Sequence, residues 1–549
     1  MRKVTRDVSY DAVIIGGGHN GLVCAYYLAR AGQKVRICEA RDVVGGAAVT
    51  EEFAPGFRNS VASYTVSLLQ PKVISDMALE ARGLKVVLRP LANFLPLSPQ
   101  PGDYLKMGGG LERSQAEVAK FSARDAAALP AYFEALEQVA EVLRALALRI
   151  PPDTGAKGAG GLKAMIDAAL QSRVLASLDL PGRREALKLF TRSAREYLDE
   201  WFESAPIKAV FGFDAVVGNY ASPDTPGSAY VLLHHVFGEA NGVKGAWGHA
   251  IGGMGAITRA MASACGDAGV EIGLSQPVEQ VLVERGSATG VRLIGGETIC
   301  AKRVIANVGP ALLYRRLIDR AALTPDFARA MDGFKTGSGS LRMNLALSEL
   351  PRFACHPQHP ENGPGEHHSA GIIMAPSLDY MDAAFADARI YGWSREPVVE
   401  MLIPSTVDDS LAPPGQHVAS LFCQQFAPHL PDGGGQGGDW DEAEPRAVEA
   451  VLATLERFAP GVRATIVGQQ VLTPKGLERR FGLVDGDIFH GRMSLEQLWA
   501  ARPVLGHGSY RGPLKGLWMC GAGTHPGGGV TGAPGHNCAA AVLKAGRRL

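Results

Sequence analysis

The chain has 549 residues, 46% hydrophobic and 20% charged, the composition of a folded protein of two to four domains and not of a disordered or low-complexity one. Its 55 lysines and arginines equal its 55 aspartates and glutamates, so there is no basic excess to drive nucleic-acid binding. Glycine, at 67 residues without a collagen period, is the outlier and predicts many tight turns and close backbone approaches.

The opening segment MRKVTRDVSYDAVIIGGG has neither the apolar stretch nor the cleavage site of a secretory signal. Nor does any later run reach the ~18 apolar residues of a spanning helix. The eight cysteines include no C-x-x-C pair, which leaves a disulfide framework, a zinc ribbon and a redox dithiol without support. The expected compartment is therefore a reducing one, the cytoplasm.

Tyr10–Ile15 reads as a buried strand, and Gly16-Gly17-Gly18-His19-Asn20-Gly21 follows at once. Leu22, Ala25, Tyr26, Leu28 and Ala29 then recur at helical spacing up to Gly32, and Lys34–Cys38 is a second strand ending at Glu39. These are all the parts of a βαβ dinucleotide fingerprint. Gly16 makes the tight turn, Gly18 admits a pyrophosphate, and Gly21 lets helix pack on strand. The helix N-terminus presents free N–H groups to phosphate, while Glu39 accepts from a ribose hydroxyl. Up to this point FAD and NAD fit equally. The continuation Ala40-Arg41-Asp42-Val43-Val44-Gly45-Gly46-Ala47-Ala48 resembles the E-x-R-x-x-x-G-G of two-dinucleotide-binding-domain flavoproteins, whose second glycine turn meets FAD.

Helical spacing predicts helices over 125–148 and 184–203. The stretch from Pro151 is read as loop, and the weakly charged segment from Pro206 to Phe237 as core or as the wall of an apolar tunnel. His234 and His235 within it read as one core and one pocket-facing residue. Gly252-Gly253-Met254-Gly255 opens a further helix, and the runs 270–272, 278–283 and 290–294 predict a three-stranded meander. Residues 303–309 return as a buried strand. His356, His359, His367 and His368 lack zinc-like spacing and are read as loop histidines, so no metal is expected. Toward the end, Leu517–Cys520 is a strand, the glycine turn holding Gly523 follows, and a helix begins near Thr531, Gly532 and Ala533. Its N-terminus is expected to face the flavin and stabilise negative charge on the reduced ring.

These three segments together resemble the phytoene and carotenoid desaturase branch of the FAD-dependent amine oxidase superfamily. Within it, the stretches 44–52, 62–64, 411–415, 472–479, 487–491 and 525–529 resemble the group called pyridine nucleotide-disulfide oxidoreductase domain-containing protein 2. The resemblance implies non-covalent FAD in a Rossmann-like α/β domain with an inserted, discontinuous α+β substrate domain. It places the FAD-binding domain in 1–70, 245–310 and 505–549, and the substrate domain in 71–244 and 311–504. It also implies that Val278 flanks the adenine. Two departures weaken transfer of the phytoene substrate: Ala47 replaces a usual arginine and Ile251 a usual proline.

The expected activity is hydride transfer from an apolar or amphiphilic small molecule to flavin N5, with O2, a quinone or another acceptor reoxidising the ring. His525, Tyr64 and His249 are the candidate polar residues of the pocket. The expected cofactor contacts are Gly16, Gly18, Gly21, Glu39, Arg41, Gly45, Gly46, Ala47, Val278, Gly523, Thr531, Gly532 and Ala533. A flavin amine oxidase, which needs an aromatic cage, and a flavoprotein acting mainly by binding a partner are the alternatives. A lipophilic substrate also raises peripheral membrane contact, while oligomeric state is not written in the sequence.

Overall fold

A computed structural model describes residues 10–236, 238–357, 363–431 and 438–546. At its centre lies a five-stranded parallel sheet ordered Glu271–Gly273, Val35–Cys38, Ala12–Ile15, Val304–Ala306 and Leu517–Met519. The strands are short and almost wholly apolar because both faces are covered, as a parallel sheet requires. Ile14, Ile37, Ile305 and Trp518 point to one side, against the helices His19–Arg30, Gly255–Asp267 and Ala533–Gly546. Val13, Ile15, Val304, Ala306, Leu517 and Met519 point to the other, against the antiparallel meander Val278–Glu284, Ser287–Leu293 and Thr298–Cys300. Alternation along each strand thus feeds two separate cores.

Residues 271–273, expected as the first strand of the meander, sit instead on the edge of the parallel sheet beside Val35–Cys38. Three residues with alternating exposure fit either place, and pairing across more than 200 residues decides it.

The second sheet has seven strands in the order Ile466–Leu472, Ser340–Leu347, His417–Phe426, Trp393–Leu402, Gly371–Met374, Asn93–Pro96 and Tyr104–Met107. Only the 371–374 and 93–96 pair is parallel. One face packs on the helix Trp440–Phe458 through Leu341, Met343, Leu345, Val399 and Leu421. On the opposite face Arg342, Phe422 and Glu400 lie abreast on three neighbouring strands. Helices Ala123–Ala147 and Ala205–Val216 complete the wall on that side.

The helix expected over 125–148 is observed as Ala123–Ala147, whereas that expected over 184–203 is broken. Leu180–Thr191 and Ala194–Trp201 meet at Ser193, whose hydroxyl accepts from the Glu196 N–H while Glu196 accepts from the Ser193 N–H. The region after Pro151, read as loop, contains the helix Ala159–Ala176. His359 and the side chains of His234 and His235 lie outside the described residues. Among the described residues no helix is long and apolar enough to cross a membrane, and no group of metal-ligating side chains occurs. All eight cysteines are free.

Candidate active site

One cavity of about 910 Å3 runs from the carboxyl ends of the parallel strands to the inner face of the seven-stranded sheet. Strand ends in a doubly wound sheet form such a crevice because the helices leave to opposite faces there. Ile15, Gly16, Gly18, Cys38, Glu39, Ala40 and Arg41 line its first end, with Gly45, Gly46 and Ala47 beside them. The two glycine turns are joined, the Gly45 N–H donating to Gly17 O at 2.9 Å. Gly16 has φ +95°, closed to most L side chains. A methyl group on Gly18 would stand 2.8 Å from Asn307 Nδ2, and one on Gly45 would stand 2.8 Å from Ala48 O. The cradle is therefore shaped by the absence of side chains.

Glu39 is buried in this crevice. Its Oε2 accepts from the Gly17 N–H at 2.6 Å and its Oε1 from the Arg41 N–H at 2.9 Å. These bonds fix the carboxylate while leaving lone pairs for further donors. Arg41 pairs with Glu51, which also holds Arg480, and its guanidinium lies over the Phe481 ring. Val278 lines the cavity beside Pro277.

Buried polar atoms without a protein partner on residues around the cradle include His19 Nε2, Asn20 Oδ1, Arg41 Nη1, Arg480 Nε and His490 Nδ1. Burial pushes His19 down to about 3, with His490 adding to the effect. Burial and Arg502 push His490 down to about 4. Both rings are neutral near pH 7, so each can donate or accept one bond without adding charge. Orphaned atoms around a side-chain-free cradle, a helix N-terminus and a fixed carboxylate fit a dinucleotide with pyrophosphate and ribose hydroxyls. These residues are suited to hold FAD.

The C-terminal turn contributes Ala522, Gly528, Gly529 and Val530 to the lining. Gly523, Thr531, Gly532 and Ala533, expected as cofactor contacts, are not among the lining residues. A methyl group on Gly523 would strike Pro310 at 2.2 Å. Thr531 Oγ1 accepts from the Ala533 N–H, and Gly532 faces Val73. The helix Ala533–Gly546 approaches the first helix so closely that Gly535 has no room for a side chain beside Asn20 O. The glycines of 252–255 also lie outside the lining: Gly253 and Gly255 press on Thr50, whose hydroxyl accepts from the Gly255 N–H.

Of the three candidate polar residues, Tyr64 alone lines the cavity. Its hydroxyl donates to Glu400 Oε2 at 2.5 Å, its ring stacks on Phe422 at 5.6 Å, and the Arg342 guanidinium lies 4.3 Å from its centre and 5.7 Å from that of Phe422. Burial, with Glu400 close by, raises Tyr64 well above the usual phenol value, so it keeps its proton. His249 lies outside the lining, its Nε2 2.9 Å from Asp408 Oδ2. His525 is likewise not among the lining residues. Its ring turns away to Leu146 O at 3.1 Å and packs edge-on against Trp499. Burial, opposed weakly by that carbonyl, pushes it down to about 4.

Several lining residues escaped the sequence reading. Asn307 donates to Gly16 O at 3.2 Å and falls within the strand expected over 303–309, of which Val304–Ala306 is observed. Phe489 and His490 come from a stretch that carried the family resemblance without a role. Arg502, fully buried, ties the carbonyls of Phe489 and Gly491 to that of Ala522.

Beyond Tyr64 the cavity turns apolar, with Met107, Leu111, Tyr132, Phe133, Leu136, Val210, Phe211, Phe213, Leu232 and Val236 in its wall. The segment 206–237 thus supplies both wall and core, since Ile207, Ala209, Ala215 and Leu233 face inward.

The profile of the family described as flavin containing amine oxidoreductase matches residues 21–341. Pyridine nucleotide-disulfide oxidoreductase domain-containing protein 2 of Rattus norvegicus is 40% identical, over 97% of this chain and 93% of that protein. Phytoene desaturase (lycopene-forming) of Pseudescherichia vulneris is 26% identical over 95% of this chain and 96% of its own. Among solved structures, an oxidoreductase from Methanosarcina mazei superposes with a TM-score of 0.58 at 16% identity, covering 97% of this chain and 99% of its own. A fingerprint built for FAD, a family profile matching more than half the residues and a 40% identical full-length relative make this chain a member of the flavin containing amine oxidoreductase family and an FAD-dependent oxidoreductase.

Proposed function

We propose that the protein dehydrogenates an apolar or amphiphilic small molecule. The observation that carries this reading is the continuity of the cavity: the dinucleotide cradle opens directly into a wall of aliphatic and aromatic side chains. Bound FAD supplies a hydride acceptor at its N5. The chain's own residues do the rest. The apolar wall excludes water and holds a hydrocarbon by burial, at roughly 25 cal/mol per Å2. Tyr64, still protonated and fixed by Glu400, orients the polar part of a ligand. The phytoene desaturase relative, whose name describes an apolar substrate, supports the same reading.

Anaerobic titration of the FAD-loaded protein tests it, with loss of the flavin band near ~450 nm as the readout. Unsaturated isoprenoids or lipids are expected to bleach the band, and O2 or a quinone to restore it. Bleaching by primary amines alone would replace this reading with an amine oxidase. An unbleached flavin with every small molecule tried would favour a binding role.

A further inference from the structure

At the boundary between the cradle and the apolar wall, the lining carries one cation. Arg89 follows the strand Val86–Leu88, and its guanidinium makes a single long bond, from Nη2 to Thr65 Oγ1 at 3.5 Å. Its Nε and Nη1 are buried and have no acceptor. Across from it stands Glu400. Glu400 Oε1 and Arg89 Nη1 both flank Gly371, 2.8 and 3.3 Å from where a Cβ on that glycine would sit. Glu400 is already engaged by the Tyr64 hydroxyl and is attracted by Arg342 as well as by Arg89. Two guanidiniums therefore share one carboxylate. Arg342 spends its Nη1 on Leu421 O and its Nη2 on Ser420 Oγ, both at 2.7 Å, and keeps only its Nε unmet, whereas Arg89 has both Nε and Nη1 without an acceptor. The other carboxyl in this part of the lining, Asp214, is pushed well above the carboxylate range by burial and by Glu400, so it adds no compensating charge.

A buried guanidinium with donors unspent is costly in apolar surroundings, and a planar anion is the group that matches its fork. We propose that Arg89 is the anchor for a carboxylate head on the substrate, whose apolar tail lies along the wall formed by Phe211, Phe213 and their neighbours. This deepens the dehydrogenase reading and rests on it. It narrows the substrate class from apolar molecules in general to carboxylic acids with a hydrocarbon chain or ring. Thr65 and Tyr64 flank the head.

The test reads binding and not turnover. The FAD-loaded protein is titrated with decanoate, decanol, methyl decanoate and decylamine, followed by calorimetry and by shifts in the flavin band. Decanoate is expected to bind about tenfold or more tighter than the alcohol or the ester, because a charge-assisted bidentate pair replaces a neutral contact. Arg89→Gln is expected to abolish that preference, leaving decanol affinity and flavin content near wild type, and Arg89→Lys to restore part of it. Equal affinity across the head groups, tighter binding of decylamine, or an Arg89→Gln variant with undiminished decanoate preference would overturn the proposal. If the variant fails to fold, the wild-type head-group series decides alone. Failure of the dehydrogenase reading looks different: decanoate would still be preferred, yet no apolar donor would reduce the flavin.

Discussion

Gly21 sits where its helix crosses the first strand, and a methyl group there would lie 2.4 Å from Gly16 O and 3.1 Å from the Asn307 amide. The nearest atom is backbone that cannot rotate aside, so the cost falls on the glycine turn itself, about 1–3 kcal/mol of overpacking. Gly21→Ala is expected to purify with much less flavin than wild type, read as absorbance near ~450 nm per chain. Gly266→Ala is the control: nothing lies within 4 Å of that position, and the substitution should leave flavin content unchanged while gaining up to about 1 kcal/mol of helix stability. The Asp408 carboxyl makes a second prediction. Burial raises it, but His249, Ser410 and the Gly252 N–H outweigh burial and hold it down at about 2. An aspartate in the unfolded chain titrates near ~3.9. The folded value is the lower of the two, so the stabilisation is full above about pH 4 and is lost as pH falls through about 2. Asp408→Asn should therefore lower the urea midpoint at pH 7 by the equivalent of at most about 2 kcal/mol, with the gap to wild type closing below pH 4. A gap that widens in acid would refute the assignment.

Ser193 joins two helices that periodicity alone ran together. Leu187, Phe190, Tyr197 and Trp201 keep an apolar spacing across the break, yet Ser193 and Glu196 satisfy each other's backbone N–H groups and restart the helix there. The S-x-x-E signature was present in the chain, and the continuous spacing masked it. Ser193→Ala is expected to cost about 1 kcal/mol, seen as a thermal midpoint lowered by about 2 °C or less and as faster proteolysis between the two helices. The same contrast explains what was legible elsewhere. The first βαβ unit was readable to within about two residues because strand, glycines, helix and Glu39 are all fixed by local spacing. Residues 271–273 were misplaced because their partner is Val35–Cys38, and the sequence carries no local signal of that pairing. His525 was placed in the pocket because a glycine-rich turn reveals its presence but not its direction; here Trp499 and Leu146 O draw the ring away. Arg89, Glu400 and Phe422 were missed for a related reason. Each is an ordinary residue in its own strand or loop; Glu400 and Phe422 become neighbours only once the second sheet is assembled, and Arg89 reaches them from the end of a separate strand pair.

At the scale of the whole molecule, the cavity is lined from both sheets and from segments as distant as Gly16 and Val530. Its lining includes the first glycine turn, Val278, Asn307 to Gly309, Arg480 to Leu483, Phe489, His490 and Ala522. A ligand held by all of these stabilises every contact that brings them together, since it binds the folded chain and not the unfolded one. The buried orphans at His19, Asn20, Arg41 and His490 act in the same direction, because without a partner each one subtracts from stability. Stripping FAD is therefore expected to lower the thermal midpoint and to increase proteolysis in both sheets, not only near the glycine turns. Re-adding FAD to a hundred times its dissociation constant should restore about 2.7 kcal/mol, with a midpoint that climbs with the logarithm of FAD concentration. ADP, which fills only the cradle end, should recover part of this shift and leave the 528–530 turn as sensitive to protease as in the apoprotein. If ADP protects that turn as fully as FAD does, the C-terminal wall of the cavity takes no part in holding the cofactor, and Gly528, Gly529 and Val530 line it only through the protein's own packing.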